Sequence, residues 1–321
     1  MRTRSFRILT GLLATAAAAI APQAAGAATV TLSDPPGDEK FIYVEAEPGE
    51  NNDIEVTPAA GAFLVSDQGN PIEVDGCSLN GPTQASCPSA GIDLVNLALG
   101  NGFNQLNVTA SLPVVATGSG AVTNIFYSTS SENVSFTGST GNDILFSGYG
   151  DDDLFGRGGE DTLDGGTGND ELYAGEDDDI LHASEGADVL DGDEGWDTVD
   201  YSERSEGVAV SLDGLANDGW SADGPVPLTE GDNVTETVEE VHGTSAADKL
   251  IAGAGRNELI GFDGGDRIKG GAGIDVIAAG RGRDRVKAKD SELDGVDCGP
   301  GKDRLKADPG DQVRRCEPVG L

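Results

Sequence analysis

The stretch GGTGNDELY, residues 165–173, decides how this chain folds, because a near-copy of it begins as soon as it ends. Laid out in nines from residue 138, the chain reads GSTGNDILF, SGYGDDDLF, GRGGEDTLD, GGTGNDELY, AGEDDDILH, ASEGADVLD and GDEGWDTVD, ending at residue 200. Position six is always Asp: Asp143, Asp152, Asp161, Asp170, Asp179, Asp188 and Asp197. Position eight is always aliphatic: Leu145, Leu154, Leu163, Leu172, Leu181, Leu190 and Val199. Position four is Gly except at Asp177. A second array over 243–287 reads GTSAADKLI, AGAGRNELI, GFDGGDRIK, GGAGIDVIA and AGRGRDRVK. Its sixth positions are Asp248, Asn257, Asp266, Asp275 and Asp284, and its eighth positions are Leu250, Leu259, Ile268, Ile277 and Val286.

Side chains alternate across a strand, so the last three residues of each unit predict a short strand whose middle residue points inward. Stacked coil on coil, such strands bury a narrow aliphatic core. The first six residues must then turn tightly, and glycine reaches positive φ without steric cost. The aspartates need a different explanation. Equivalent turns in stacked coils lie about 4.8 Å apart, where neighbouring carboxylates repel by roughly 1 kcal/mol in water and about 3 at a partly shielded surface. Residues 138–200 hold 20 acids against one base, Arg157, and the summed repulsion would rival a domain's stability of about 5–15 kcal/mol. A divalent hard cation reverses the sign, since calcium accepts six to eight oxygens in flexible geometry.

The units resemble the nonapeptide of RTX, or haemolysin-type, calcium-binding repeats, and the resemblance covers 108 residues directly. It implies an all-β fold, a right-handed parallel β-roll (a β-solenoid) with two nonapeptides per coil. It also implies calcium between each turn and the next turn on the same side. The implied metal set is Asp143, Asp152, Asp161, Asp170, Asp179, Asp188, Asp197, Asp248, Asp266, Asp275 and Asp284, with up to about five ions in the first array and about three in the second. Folding and ion binding would then be one event. Asp177, Ala246 and Asn257 depart from the pattern and mark weaker turns. The stretch CGPGKDRLK, residues 298–306, keeps Gly301, Asp303 and Leu305 as a terminal half-coil. From Ala279 onward ten bases mix with nine acids, and bases beside Asp284 and Asp303 argue against calcium at that end.

Outside the arrays, residues 28–137 carry short alternating runs such as FIYVEAE, DIEVTP and NQLNVTASL, which predict a β-rich region serving as a cap without calcium. The segments GENNDIEV and GCSLNGPTQASCPSAGIDLVNLALGNG resemble the leader region of secreted actinobacterial repeat proteins of this kind. Residues 201–242 interrupt the arrays with GVAVSL, a loop containing Trp220, and VEEV, and read as larger coils on the same solenoid. Trp220 reads as a loop anchor in preference to a ligand-stacking residue. Residues 288–321 form a closing cap. Four cysteines allow three pairings; short loops favour Cys77 with Cys87 and Cys298 with Cys316.

Residues 1–27 carry Arg2, Arg4 and Arg7, a short apolar run and the triplet Ala25-Gly26-Ala27, which predict a secretory signal and an extracellular, possible cell-wall location. No later stretch predicts a membrane span. A formal charge of −37 argues against a nucleic-acid partner. The two histidines, His182 and His242, form no HExxH, and GxSxG is absent, so zinc-protease and lipase chemistry find no support. The sequence therefore points to a secreted module that folds on calcium and serves a structural or surface-binding role, with an extracellular polysaccharide as a candidate partner. The alternative is a polysaccharide-active enzyme with its site in 28–137 or 201–242, since paired carboxylates are too abundant here to be informative.

Overall fold

The computed structural model describes residues 28–33, 40–46, 49–68, 70–90, 92–220 and 231–317. The predicted signal at 1–27, residues 221–230 of the insertion and the side chain of Trp220 lie outside that description. Among the described residues every regular element is a strand, and no helix is long and apolar enough to cross a membrane.

Strands form where the nonapeptide places them. Ile144–Phe146, Thr162–Asp164, Ile180–His182 and Thr198–Asp200 stack in parallel on one face. Asp153–Gly158, Glu171–Glu176 and Val189–Glu194 stack in parallel on the other. Two nonapeptides therefore make one coil, and the register sets each eighth-position residue on its counterpart: Leu145 on Leu163 on Leu181 on Val199. All four are fully buried. Each such side chain contributes about 1.5–3 kcal/mol on leaving water, so a thin spine suffices when it is continuous.

The spine extends in both directions from the first array. Upstream, Ile54, Leu106 and Phe126 stack into register with Leu145. Downstream it runs through Val241, Leu259, Ile277 and Val296 to Val313. Among the described residues this sheet holds 15 strands. At its start the chain folds in antiparallel pairs, Asn52–Ala59 with Ala62–Asp67 and the latter with Gln84–Pro88, which close the end of the stack.

The opposite face is divided. Its first sheet has 10 strands and ends where Asn233–Val234 pairs with Val189–Glu194. A separate six-stranded sheet starts inside the insertion, where Val208–Ser211 pairs antiparallel with Gly219–Trp220 and parallel with Lys249–Ile251. The insertion thus breaks one face of the solenoid and leaves the other intact. Tyr201, fully buried at the break, donates its hydroxyl to Asp232 Oδ2 at 3.0 Å. Both short-loop cysteine pairs are bonded, Cys77 to Cys87 and Cys298 to Cys316.

Candidate metal centre

The sixth-position aspartates form three ladders, each continuous from coil to coil. On the unbroken face the Asp143 N–H donates to Asp161 Oδ1 at 2.6 Å, the Asp161 N–H to Asp179 Oδ1 at 2.6 Å, and the Asp179 N–H to Asp197 Oδ1 at 3.0 Å. The second ladder runs from Asp152 to Asp170 at 2.8 Å and from Asp170 to Asp188 at 3.0 Å. The third runs from Asp248 to Asp266 and from Asp266 to Asp284, both at 2.9 Å, then to Asp303 at 3.0 Å. Asp275 belongs to the unbroken face, where it accepts from the Asn257 N–H at 2.9 Å.

One oxygen of each carboxylate is therefore committed to backbone. The other is not. Oδ2 of Asp152, Asp161, Asp170, Asp179, Asp197, Asp266, Asp275 and Asp284 is buried without a hydrogen-bond partner among the described residues, and so is Oδ2 of Asp294 and Asp303. The structure tucks these carboxylates beneath the turns, with Asp161 and Asp188 only 2% exposed and Asp197 fully covered. Desolvation is consequently the leading cost, ahead of the mutual repulsion that spacing alone suggests. It pushes Asp161, Asp188 and Asp266 up to about 8, and Asp170, Asp179 and Asp197 up to about 7. Asp152 and Asp275 rise to about 6. Neighbouring carboxylates add to the shift, as Asp143 and Asp179 do at Asp161, while the donated backbone N–H opposes it.

Glycines shape the cradle around these oxygens. A Cβ on Gly156 would stand 2.4 Å from both Asp161 Oδ2 and the Ala174 carbonyl oxygen, and one on Gly261 would stand 2.6 Å from Asp266 Oδ2 and 2.7 Å from the Ala279 carbonyl oxygen. At Asp161 and Asp266 the free carboxylate oxygen thus shares its space with a main-chain carbonyl of the next coil. The donors are all oxygen, which matches a hard cation and not zinc or copper.

The RTX calcium-binding nonapeptide repeat family matches the chain in four copies, at residues 137–172, 173–203, 242–277 and 260–288. Over residues 137–203 and 242–288 the chain carries RTX-type calcium-binding repeats. No curated protein matches it. The buried, half-satisfied carboxylates and the oxygen-only surroundings fit the ion this family binds. Calcium held there would supply the positive charge that the buried ladders lack.

Not all predicted RTX positions are alike. Asp143 and Asp248, first in each array, have both oxygens satisfied. Asp143 accepts from the Asn124 N–H and amide on Oδ1, and from the Ser139 N–H and hydroxyl on Oδ2. Asp248 accepts from the Val208 N–H and the Thr244 hydroxyl on Oδ1, and from the Thr244 N–H on Oδ2. Asp177 keeps the turn by adopting φ of 80°, a glycine-like value, and its Oδ2 accepts the Gly159 N–H. Asn257 turns its amide onto the Val238 and Glu239 carbonyls.

Sequence reasoning missed several ladder members. Asp232 accepts from the Asp188 N–H, Glu239 from the Asp197 N–H, Asp294 from the Asp275 N–H and Asp311 from the Asp294 N–H. Their signal was present but off period. Residues 288–297 form a unit of ten ending in GVD, and 307–314 one of eight ending in QVR.

Proposed function

We propose that this chain is an exported module whose arrays acquire their fold by binding several calcium ions, through Asp152, Asp161, Asp170, Asp179, Asp188, Asp197, Asp266, Asp275 and Asp284. The single observation that carries this reading is the set of buried carboxylates with an unpartnered Oδ2, which includes all of these except Asp188. A buried anion without a partner is expensive, and nothing in so acidic a sequence supplies a cation for each. Both disulfides fit an oxidising compartment outside the cytoplasm, where millimolar calcium would load weak sites. The folded solenoid then serves as a structural or surface-binding element. Stacked aromatic pairs support an extracellular polysaccharide as its partner, because their flat faces suit sugar rings: Tyr127 with Phe146 at 4.9 Å and Phe155 with Tyr173 at 5.3 Å between centroids.

The test is circular dichroism of the chelator-treated chain titrated with calcium and, separately, magnesium. Strand signal should rise cooperatively with calcium and far less with magnesium, whose octahedral demand is stricter. Equal spectra with and without calcium would remove the basis for the proposal.

A further inference from the structure

We propose a divalent-cation site of a different make in the C-terminal coil, formed by Asp275, Asp290 and Asp294. Among the described residues these are the one group of three acidic side chains that bring a ligand atom each to within 4.8 Å of one another. Asp290 and Asp294 lie beyond the residues matched by the repeat family, and the bases of this region had argued against calcium here. Asp275 and Asp294 are each 1% exposed, and each leaves its Oδ2 without a partner. Their Oδ1 atoms are already engaged, by the Asn257 N–H at 2.9 Å and the Asp275 N–H at 3.0 Å.

Asp290 sets this turn apart from the regular turns, as Asp177 does at Gly159 in the first array. In regular turns the fourth-position N–H donates to a third-position carbonyl one coil on: Gly150 to Thr167, Gly168 to Glu185, Gly282 to Pro300. Here the Gly273 N–H donates instead to Asp290 Oδ2, at 3.1 Å. The extra residue of the ten-residue unit is accommodated in this turn, with Ser291 at φ of 84°, and a carboxylate comes to stand where a neutral carbonyl stands in the regular turns. The turn therefore offers one formal negative charge more than a regular turn, and unlike Asp177 this carboxylate converges with two others. Calcium affinity rises with the charge of the ligand set, so this site fills before the arrays and fixes the last coils against Ile277. The site extends the calcium reading of the arrays only through Asp275, which both share.

The experiment uses the full chain. Bound calcium is counted by native mass spectrometry across a titration for the unchanged protein, Asp290→Asn and Asp170→Asn, and anomalous scattering is recorded from crystals grown in calcium. Asp290→Asn should lose the first ion to bind and keep the later ones, whereas Asp170→Asn should keep the first and lose later ones. The map of the unchanged chain should show a peak among the three carboxylates. Should Asp290→Asn fail to fold, that map alone decides. Peaks along the arrays with none at Asp290 would overturn this site and leave the array reading standing. A peak at Asp290 with none along the arrays would do the reverse.

Discussion

Asn124 and Asp143 occupy equivalent places in successive coils and show what a single atom changes. Upstream, the Asn52 amide donates to Asn104 Oδ1 and the Asn104 amide to Asn124 Oδ1, both at 2.8 Å. An amide both donates and accepts, so a buried stack of Asn satisfies itself. From Asp143 onward, Asn257 excepted, the same place is held by an acceptor-only group, and from Asp161 the stack needs positive charge from outside. Asp161→Asn should therefore stabilise the chain in chelator by about 1–3 kcal/mol, the cost of a buried unpaired polar group, while lowering the number of calcium ions bound. Residual strand signal in chelator and bound calcium counted by native mass spectrometry measure the two; a loss of strand signal in chelator as large as in calcium would count against the role assigned to Asp161. Glycine is equally specific at Gly168, where φ is 147° and a Cβ would stand 1.6 Å from the Gly150 carbonyl oxygen. Gly168→Ala should cost roughly 2–4 kcal/mol in calcium. Gly214→Ala, at φ of 66° in open space, should cost only about 1–2 kcal/mol. Similar melting temperatures for the two variants would show that the coils are not in close contact at position four.

At the level of elements, three-residue strands hold together because each is one rung of a long parallel ladder, and groups at rung ends tie neighbouring coils. His242, at the end of Glu240–His242, is the clearest case. Its ring lies 2.6 Å from Glu240 Oε1, 3.8 Å from Asp200 Oδ2 on the preceding rung, and edge-on to Phe262 at 5.8 Å. Glu258, on the following rung, faces it and Arg256. The Asp200 carboxylate raises the His242 pKa, burial opposes the rise, and Glu240 reinforces it. A raised folded-state value means that the imidazolium's stabilisation is complete below the unfolded value of about 6.5 and fades as pH climbs through the folded one. The stability gap between the native chain and His242→Gln should thus be widest near pH 6 and shrink on the alkaline side. A gap that widens with rising pH would contradict this assignment.

Across the whole molecule, the nine-residue period made the arrays, their spine and the identity of the cation legible. It could not reveal where the period is absorbed. Leu106, Phe126 and Leu145 are stacked neighbours, yet the first two intervals between them exceed the 18 residues of an array coil, because turns take up extra residues without disturbing strand register. The same absorption hid Asp294 and Asp311. Nor does the sequence say that 201–242 breaks only one face, since that depends on Glu240–His242 pairing with Thr198–Asp200 across the insertion. The solenoid that results is one stack in two chemistries, neutral amides and apolar residues first, carboxylates after.

That division gives the most direct test, hydrogen exchange followed along the full chain in calcium and in chelator. Backbone amides of the described residues before 138 should stay protected in both media, and those from 143 to 314 should be protected only when calcium is present. Protection of the aspartate coils that is unchanged by chelation would contradict the central claim that their buried carboxylates depend on a bound cation.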